Sequence, residues 1–343
     1  IVDLFKEHRT NILLKRDQSI PNFLGNMSEP YGNVGVVDNK GIDTSLEYNK
    51  KIGKDWIISV RGNLTYNKDQ WVNSDQPEQL YSWMNKRGYN LNGIYGFVDK
   101  GLFTQDEIDQ INVWEALPEA DKATNQRPFP AQFGALQAGD IKYEDLNGDG
   151  KIDAYDVKWI GQGDVPKLIY GFGFNVQYKN FAFGMLIQGT SGAERMLSGS
   201  SIQPFKGDGG GGNLFSNIYD RWTTDNPSQD VFYPRLAYGS DKADNVNNYK
   251  PSTWWIKDVD FIRLKTMQVS YNLPSKWAGV IGLQNISIYG MGTNLLTLSS
   301  FNLWDPELNT GQGTSYPNIA SMSIGLDRKS TRLNSSHGKF ISY

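Results

Sequence analysis

Pro166–Gly192 reads PKLIYGFGFNVQYKNFAFGMLIQGTSG, and its alternation decides the fold. Leu168, Tyr170, Phe172, Phe174, Val176 and Tyr178 fall on one face. Gly171, Gly173, Asn175 and Gln177 take the other. A period of two over about eleven residues specifies a strand rather than a helix. After Lys179-Asn180 the pattern restarts, with Phe181, Phe183, Met185 and Ile187 on one side and Ala182, Gly184, Gln188 and Thr190 mostly on the other. The stretch is therefore a predicted hairpin with a very short turn. An ordinary globular strand has about 5–6 residues, whereas a tilted strand of about 9–11 crosses a bilayer. So continuous an aromatic face meets either a protein core or lipid.

Working outward, further alternating segments flank this hairpin. Ile1–Leu14 is a weakly alternating strand, and Pro21–Asn39 is expected to be loop. Gly41–Lys50 and Trp56–Lys68 alternate around a short turn, Ile52–Asp55. About a hundred residues of loop then run to Val165, and a second long excursion covers Ala193–Val259. Phe261–Leu273 and Ile286–Leu298 are strands joined by a medium turn with Pro274 and Gly279. Ser299–Asn318 is loop and Ser321–Leu326 a short last strand. Connections 2–3, 4–5 and 6–7 are short, and the others are long. In an up-and-down sheet, alternate connections lie at one end. One end thus carries tight turns and the other large loops, the asymmetry of an outer-membrane barrel. Structureless loops of this length are rare in compact domains. Eight strands could close as a small barrel, but a chain starting at Ile1 without a leader suggests part of a larger one.

Composition narrows the functions. The chain has 343 residues, a formal net charge of −3, no cysteine and two histidines, His8 and His337. Near-neutral charge gives no support for nucleic-acid binding. The absence of Cys removes disulfides, thiolate metal sites and a Cys nucleophile. No Ser-His-Asp set can be built sensibly, and nothing places acidic pairs such as Glu107 and Asp109 across a cleft as a glycosidase needs. The expectation is a protein that is not an enzyme. No run of eighteen apolar residues marks a membrane helix, whereas a barrel dilutes its lipid-facing residues by alternation.

One short motif carries ligand chemistry. Asp145–Asp156 reads DLNGDGKIDAYD and resembles an EF-hand or dockerin calcium loop. Asp145, Asn147 and Asp149 offer hard oxygens at alternate positions. Gly150 allows the sharp turn, Lys151 contributes its carbonyl, and Asp153 and Asp156 complete the set. Asp156 replaces the usual bidentate Glu, and the flanks do not look like two long helices. A polar turn holding no ion is the alternative. The glycine run Gly207–Gly212 lacks the Lys-Ser/Thr of a phosphate loop and reads as flexible loop. Trp71, Trp83, Trp114, Trp222, Trp254 and Trp255 lie in or near the long loops, where they could stack on sugars, meet a partner or pack among themselves.

The chain also resembles a family. Asn92–Phe103 (NGIYGFVDKGLF), Gly139–Asp156 (GDIKYEDLNGDGKIDAYD), Pro166–Gly192, Trp255–Pro274 (WIKDVDFIRLKTMQVSYNLP) and Thr293–Glu307 (TNLLTLSSFNLWDPE) are similar, in this order, to the C-terminal barrel portion of SusC/RagA-type TonB-dependent outer-membrane transporters of Bacteroidetes. The resemblance runs from Ile1 to about Leu326. It implies an all-β fold, an antiparallel transmembrane β-barrel of which about the last eight of roughly 22 strands are present. It further implies import of an oligosaccharide or a peptide, a SusD-like surface lipoprotein as partner, and TonB acting through an N-terminal region that this chain lacks. The rivals are a soluble calcium-binding β-rich module and a passive porin. Asp327–His337, DRKSTRLNSSH, departs from the family and breaks the alternation. It matches the translation of a common short-read sequencing adapter, and Ile341–Tyr343 fits the adapter's continuation. Residues 327–343 are expected to be translated adapter rather than native protein.

Overall fold

The computed structural model describes residues 1–16, 30–206, 212, 214–237, 246–280 and 283–330. The glycine run lies almost wholly outside these residues, as does the tail from 331 to 343. Eight long strands form one antiparallel sheet in the order β1-β2-β3-β8-β9-β12-β13-β14. They are β1 (Val2–Lys15), β2 (Tyr31–Ile52), β3 (Trp56–Asn73), β8 (Leu168–Tyr178), β9 (Phe181–Ser191), β12 (Phe261–Asn272), β13 (Leu283–Ser299) and β14 (Ser321–Ser330). The sheet has two edges, β1 and β14. No described helix is long and apolar enough to cross a membrane.

The expected hairpin is β8 and β9, turning at Lys179, whose φ is +51°. Its register confirms the shared face: Phe172 opposes Ile187, Phe174 opposes Met185, Val176 opposes Phe183, and Tyr178 opposes Phe181. The apolar face continues into the neighbours, where Val60 opposes Phe174 and Met185 opposes Met267. Trp56, Tyr178, Phe181 and Tyr271 fall in one row across four strands, and the Trp56 and Tyr178 rings lie 4.3 Å apart. Tyr66 opposes Leu168 at the far end of the same face. Trp56 and Tyr66 are ten residues apart on β3. At about 3.3 Å per residue and a tilt of about 40°, that is an apolar band about 25 Å tall, the height of a barrel's lipid belt. A β-carbon on Gly189 would sit 2.3 Å from the Tyr170 ring, so glycine lets this ring lie flat across β9.

Strand boundaries differ from expectation most at β2, β3 and β14, the first two for one reason and the last for another. β2 begins at Tyr31 rather than Gly41, and β3 continues to Asn73. Beyond the apolar band the burial swaps sides. Val37 opposes Trp71 on what was the polar face, and Val37 is enclosed there beneath the loops. A strand buried on a new side loses its simple alternation and reads as loop. At the other end of the chain, β14 runs through Asp327 and Arg328, which oppose Ser287 and Ile286. Backbone pairing to β13 holds this edge strand, so the polar side chains do not break it at Leu326. The medium turn after Pro274 holds a short helix, α3 (Ser275–Val280).

Among the described residues, the connections between β3 and β8 and between β9 and β12 are folded rather than structureless. They carry α1 (Gln105–Glu115), α2 (Glu119–Lys122) and three two-stranded ribbons. The ribbons pair β4 (Ile94–Gly96) with β7 (Lys158–Gly161), β5 (Asp99–Leu102) with β6 (Ile141–Tyr143), and β10 (Glu194–Met196) with β11 (Ile256–Asp258). Thr104 and Glu107 start α1 with a capping box. Two apolar cores result. Phe97, Leu102, Phe103, Ile111, Ile141 and Trp222 belong to the first. Leu197, Ile202, Tyr233, Tyr249, Trp255 and Phe301 belong to the second.

Candidate functional site

Two surfaces could handle a ligand: the polar face of the sheet and the loop domain above it. On the polar face, Asn49, Ser59, Asn175, Gly184 and Gln268 fall in one row across β2, β3, β8, β9 and β12. Glu47 opposes Arg61 in the next row. Alternation sends these side chains here because their neighbours fill the apolar face. A cavity of about 280 Å³ opens on this wall, where Ser59, Asn175, Gln177, Gln268 and Ser270 contribute polar groups. A second, of about 340 Å³, lies where the loops meet the wall. Glu7, Asn39 and Asp69 share its wall row, and Arg9, Asn90–Asn92 and Lys167 are among the other residues that line it. Asp69 accepts the Leu91 N–H at 2.8 Å, tying the loop to the strand. The buried Asn39 Oδ1 has no hydrogen-bond partner among the described residues. These cavities offer carboxamides, hydroxyls and charges of both signs, which suit a hydrogen-bonding ligand.

The loop domain is joined by polar clamps that no local sequence pattern announces. Asp140 is fully buried between two excursions. It accepts from Arg235 Nε at 2.8 Å, from Asn248 Nδ2 at 2.8 Å and from the Gln137 N–H at 2.8 Å. Burial pushes the Asp140 carboxyl up, and the Arg235 guanidinium pulls against that shift. Asn247 donates to the Ile141 carbonyl, and the Tyr143 hydroxyl donates to the Asn247 carbonyl, both at 2.7 Å. Burial raises the Tyr143 hydroxyl far above its ordinary value. A second clamp joins the last loop to the wall. Arg263, 1 % exposed, bonds Asp305 and reaches Glu307 at 2.9 Å, and Lys265 meets Glu307 at 3.1 Å. Thr293–Glu307 carries part of the family resemblance, but only the fold reveals that its acidic end is an anchor.

The acidic turn is closed by its own hydrogen bonds. Asp145 accepts from Gly148 N at 2.7 Å and from Gly150 N at 2.8 Å. Both glycines have positive φ, +73° and +83°. Asn147 Nδ2 donates to Asp149 at 3.1 Å. Asp153 caps the one-turn helix Ala154–Asp156, and Asp156 accepts from Leu146 N and Asp153 N, both at 2.8 Å. Lys151, however, brings its ammonium to 3.1 Å from Asp153 and 3.8 Å from Asp149. The Tyr155 N–H and this ammonium hold the Asp153 carboxyl below its usual range. No group of three or more His, Cys, Asp or Glu side chains is placed to hold a metal among the described residues.

The loop tryptophans mostly pack. Trp222 and Trp255 are core residues, and Trp254 lies against both cores. Trp114 donates to the Asn125 carbonyl at 2.9 Å. Trp83 donates to the Tyr155 carbonyl at 2.8 Å and stacks on Tyr81 at 4.6 Å. Trp71 is partly buried at the end of β3, where the loops meet the strands.

A sheet with one tall apolar face, one polar wall and its described loop domain at one end has the architecture of a β-barrel wall segment. No family model matches the chain. TonB-dependent receptor P26 of Formosa agariphila is 33% identical over 339 residues, covering 93% of this chain and 31% of that receptor. TonB-dependent receptor P3 of the same organism is 26% identical, covering 90% of this chain and 30% of that one. TonB-dependent receptor SusC of Bacteroides thetaiotaomicron is 22% identical, covering 89% and 27%. Among solved structures, the RagAB peptide importer in its open-open state superposes with a TM-score of 0.65 at 20% identity, covering 96% of this chain and 32% of that one. Sequence and fold together place the chain among the SusC/RagA-type TonB-dependent receptors. It spans about a third of the length of the curated relatives it matches.

Proposed function

We propose that the protein to which this chain contributes imports a nutrient across the outer membrane, and that the chain supplies part of the barrel wall and a loop domain over its mouth. The observation that carries this reading is the two-faced sheet. A lipid-height apolar band backs a wall of Asn, Gln, Ser and Arg, and the folded loops stand at one end of it. On this reading lipid meets Phe174 and its row, and the ligand passes along Asn175 and its row. The substrate class proposed is an oligosaccharide, whose hydroxyls suit the carboxamides of both cavities and the carboxylates of the second. A peptide is the second reading, favoured by the likeness to the RagAB peptide importer. A SusD-like lipoprotein would meet the loop domain and deliver the ligand, and TonB would supply the energy through the rest of the protein. Nothing in this scheme requires covalent chemistry on the substrate.

The test uses the intact gene in its host. Deleting Ala193–Val259 removes most of the second loop core. Loss of both co-purification with the neighbouring lipoprotein and growth on the cognate substrate is expected, with the barrel still inserted. Growth on glycans as against peptides decides the class. Survival of co-purification and of growth with an inserted barrel would overturn the reading.

The Asp145–Asp156 turn supports a smaller proposal, a calcium site that steadies the first loop. Its supports are the Asp145 bonds to Gly148 and Gly150 and the Asp153–Asp156 cap; binding would require Lys151 to swing away. Calcium should protect this loop of the intact receptor from protease, and Asp149→Ala should abolish the protection. Identical behaviour of the two proteins rejects the site.

A further inference from the structure

The apolar face ends abruptly near the long connections. Leu4, Ile42 and Tyr66 make its last row across β1, β2 and β3. The next row on the same face is Lys6, Lys40 and Lys68: Lys6 directly opposes Lys40, and Lys40 directly opposes Lys68. All three are exposed. None has an ion pair or a side-chain hydrogen bond among the described residues. One row further on the facing side chains do pair, with His8 Nδ1 and the Asp38 carboxylate 2.6 Å apart.

Directly opposed residues of an antiparallel pair lie about 4.5–5.5 Å apart, and like charges there are destabilising. Three ammonium groups in register are therefore a cost to the sheet that a bridging anion would remove. Position identifies the anion. The row stands two residues beyond Tyr66, which is about 5 Å above the apolar band for a tilted strand. That height is the headgroup layer of a bilayer. Lysine suits it, because the four-carbon stem lies along apolar surface while the ammonium reaches a phosphate. A free anion would use the charge but not the apolar surface one row below. An acidic protein would have to lie within the lipid. Lys50, on the same face near the opposite border, opposes Ile58 and belongs to no such row.

We propose that Lys6, Lys40 and Lys68 form a binding site for the phosphate-bearing headgroup of an anionic outer-leaflet lipid, whose acyl chains lie along Leu4, Ile42 and Tyr66. The site would anchor the receptor at a fixed depth and fill the gap between lipid and loop domain. It rests on the outer-membrane reading above.

The test takes the intact receptor in detergent, strips its lipid and places it in nanodiscs of phosphatidylcholine with or without phosphatidylglycerol. Bound phosphatidylglycerol is counted by native mass spectrometry. Each lysine near an anionic surface contributes about a fivefold factor in affinity. The triple variant K6Q/K40Q/K68Q should therefore bind on the order of a hundredfold more weakly. K6R/K40R/K68R should retain binding, and Lys54→Gln in the opposite turn should match the parent. Rising salt should release the lipid from the parent, and inorganic phosphate should not displace it. Undiminished binding by the triple glutamine variant overturns the proposal. Complete displacement by inorganic phosphate also overturns it, by showing a bare anion site. The folded barrel's gel shift reports insertion separately. Should the triple variant fail that check, Lys68→Gln alone and the parent's salt dependence decide by the same criteria. A parent receptor absent from the outer membrane would instead refute the transport reading.

Discussion

Phe172 in the sheet and Trp255 in the loop domain are both large and apolar, yet Phe172 is 40% exposed and Trp255 only 1%. The sheet keeps its big side chains on an outer surface and is held by long backbone ladders. The loop domain hides them in two cores and closes around buried Asp140, Asn247, Asn248 and Arg263. On the outer-membrane reading proposed above, the contrast follows from the solvent each part faces. In lipid there is no water to drive apolar burial, and every backbone N–H and C=O must be paired within the sheet. In water the loops must build their own cores and satisfy each polar group they bury. One chain thus obeys two sets of rules, divided at the row where Lys6, Lys40 and Lys68 replace Leu4, Ile42 and Tyr66.

The largest expected effect breaks the loop side of this comparison alone. Asp140→Ala leaves Arg235 and Asn248 without their buried acceptor. Removing one partner of a buried ion pair costs about 3–5 kcal/mol. The expectation is rapid protease cleavage between the β5–β6 ribbon and Trp255, with the barrel's gel mobility unchanged. Loop protection equal to the parent would mean that the apolar cores suffice without the clamp.

The next effect breaks the sheet side. Phe174 sits near the middle of the apolar band, opposite Val60 and Met185. Phe174→Arg is expected to cost about 2–4 kcal/mol in a refolding titration in bilayers, the charge penalty at a barrel's lipid midplane. Asn175→Arg, one residue on, points to the polar wall and should be tolerated. Equal costs at the two positions would contradict the assignment of faces. Neither substitution should alter protease protection of the loops.

How far each region could be read from sequence follows the same division. Alternation is local, so the β8–β9 face, the Tyr178–Phe181 pair beside its turn and the two-ended arrangement of connections were legible residue by residue. Legibility stopped at Gly41 and Lys68, where burial changes sides and the period-two signal reverses. The loop domain shows no period at all. Its partners lie far apart in sequence, as with Asp140 and Asn248 or Arg263 and Asp305, and a lone Asp or Arg looks the same on a surface as in a core. The acidic turn was the exception, because its chemistry sits within twelve consecutive residues. Even there Lys151, expected to offer only a carbonyl, places its ammonium against Asp153.

The smallest effect sharpens the comparison at the seam, where the last loop is pinned to the polar wall. Burial pushes the Asp305 carboxyl up, but Arg263, the Glu307 N–H at 3.0 Å and the Asn318 N–H at 3.2 Å outweigh it and hold the group below its ordinary value. A carboxyl whose folded pKa is depressed contributes stability that is fully present above its unfolded value, about 3.9. That contribution is lost as pH falls through the lower, folded value. The loop from Phe301 to Asn318 should therefore stay anchored at mildly acidic pH and loosen only below about pH 4. Hydrogen exchange of this segment, corrected for the intrinsic rate at each pH, reads the step. Asp305→Asn keeps the shape but cannot titrate, so its exchange should already be faster at neutral pH and should lack the step. An unchanged acid step in that variant would assign the anchor to Glu307 and Lys265 instead. The strands on either side should show no such step, since their ladders contain no group that must ionise.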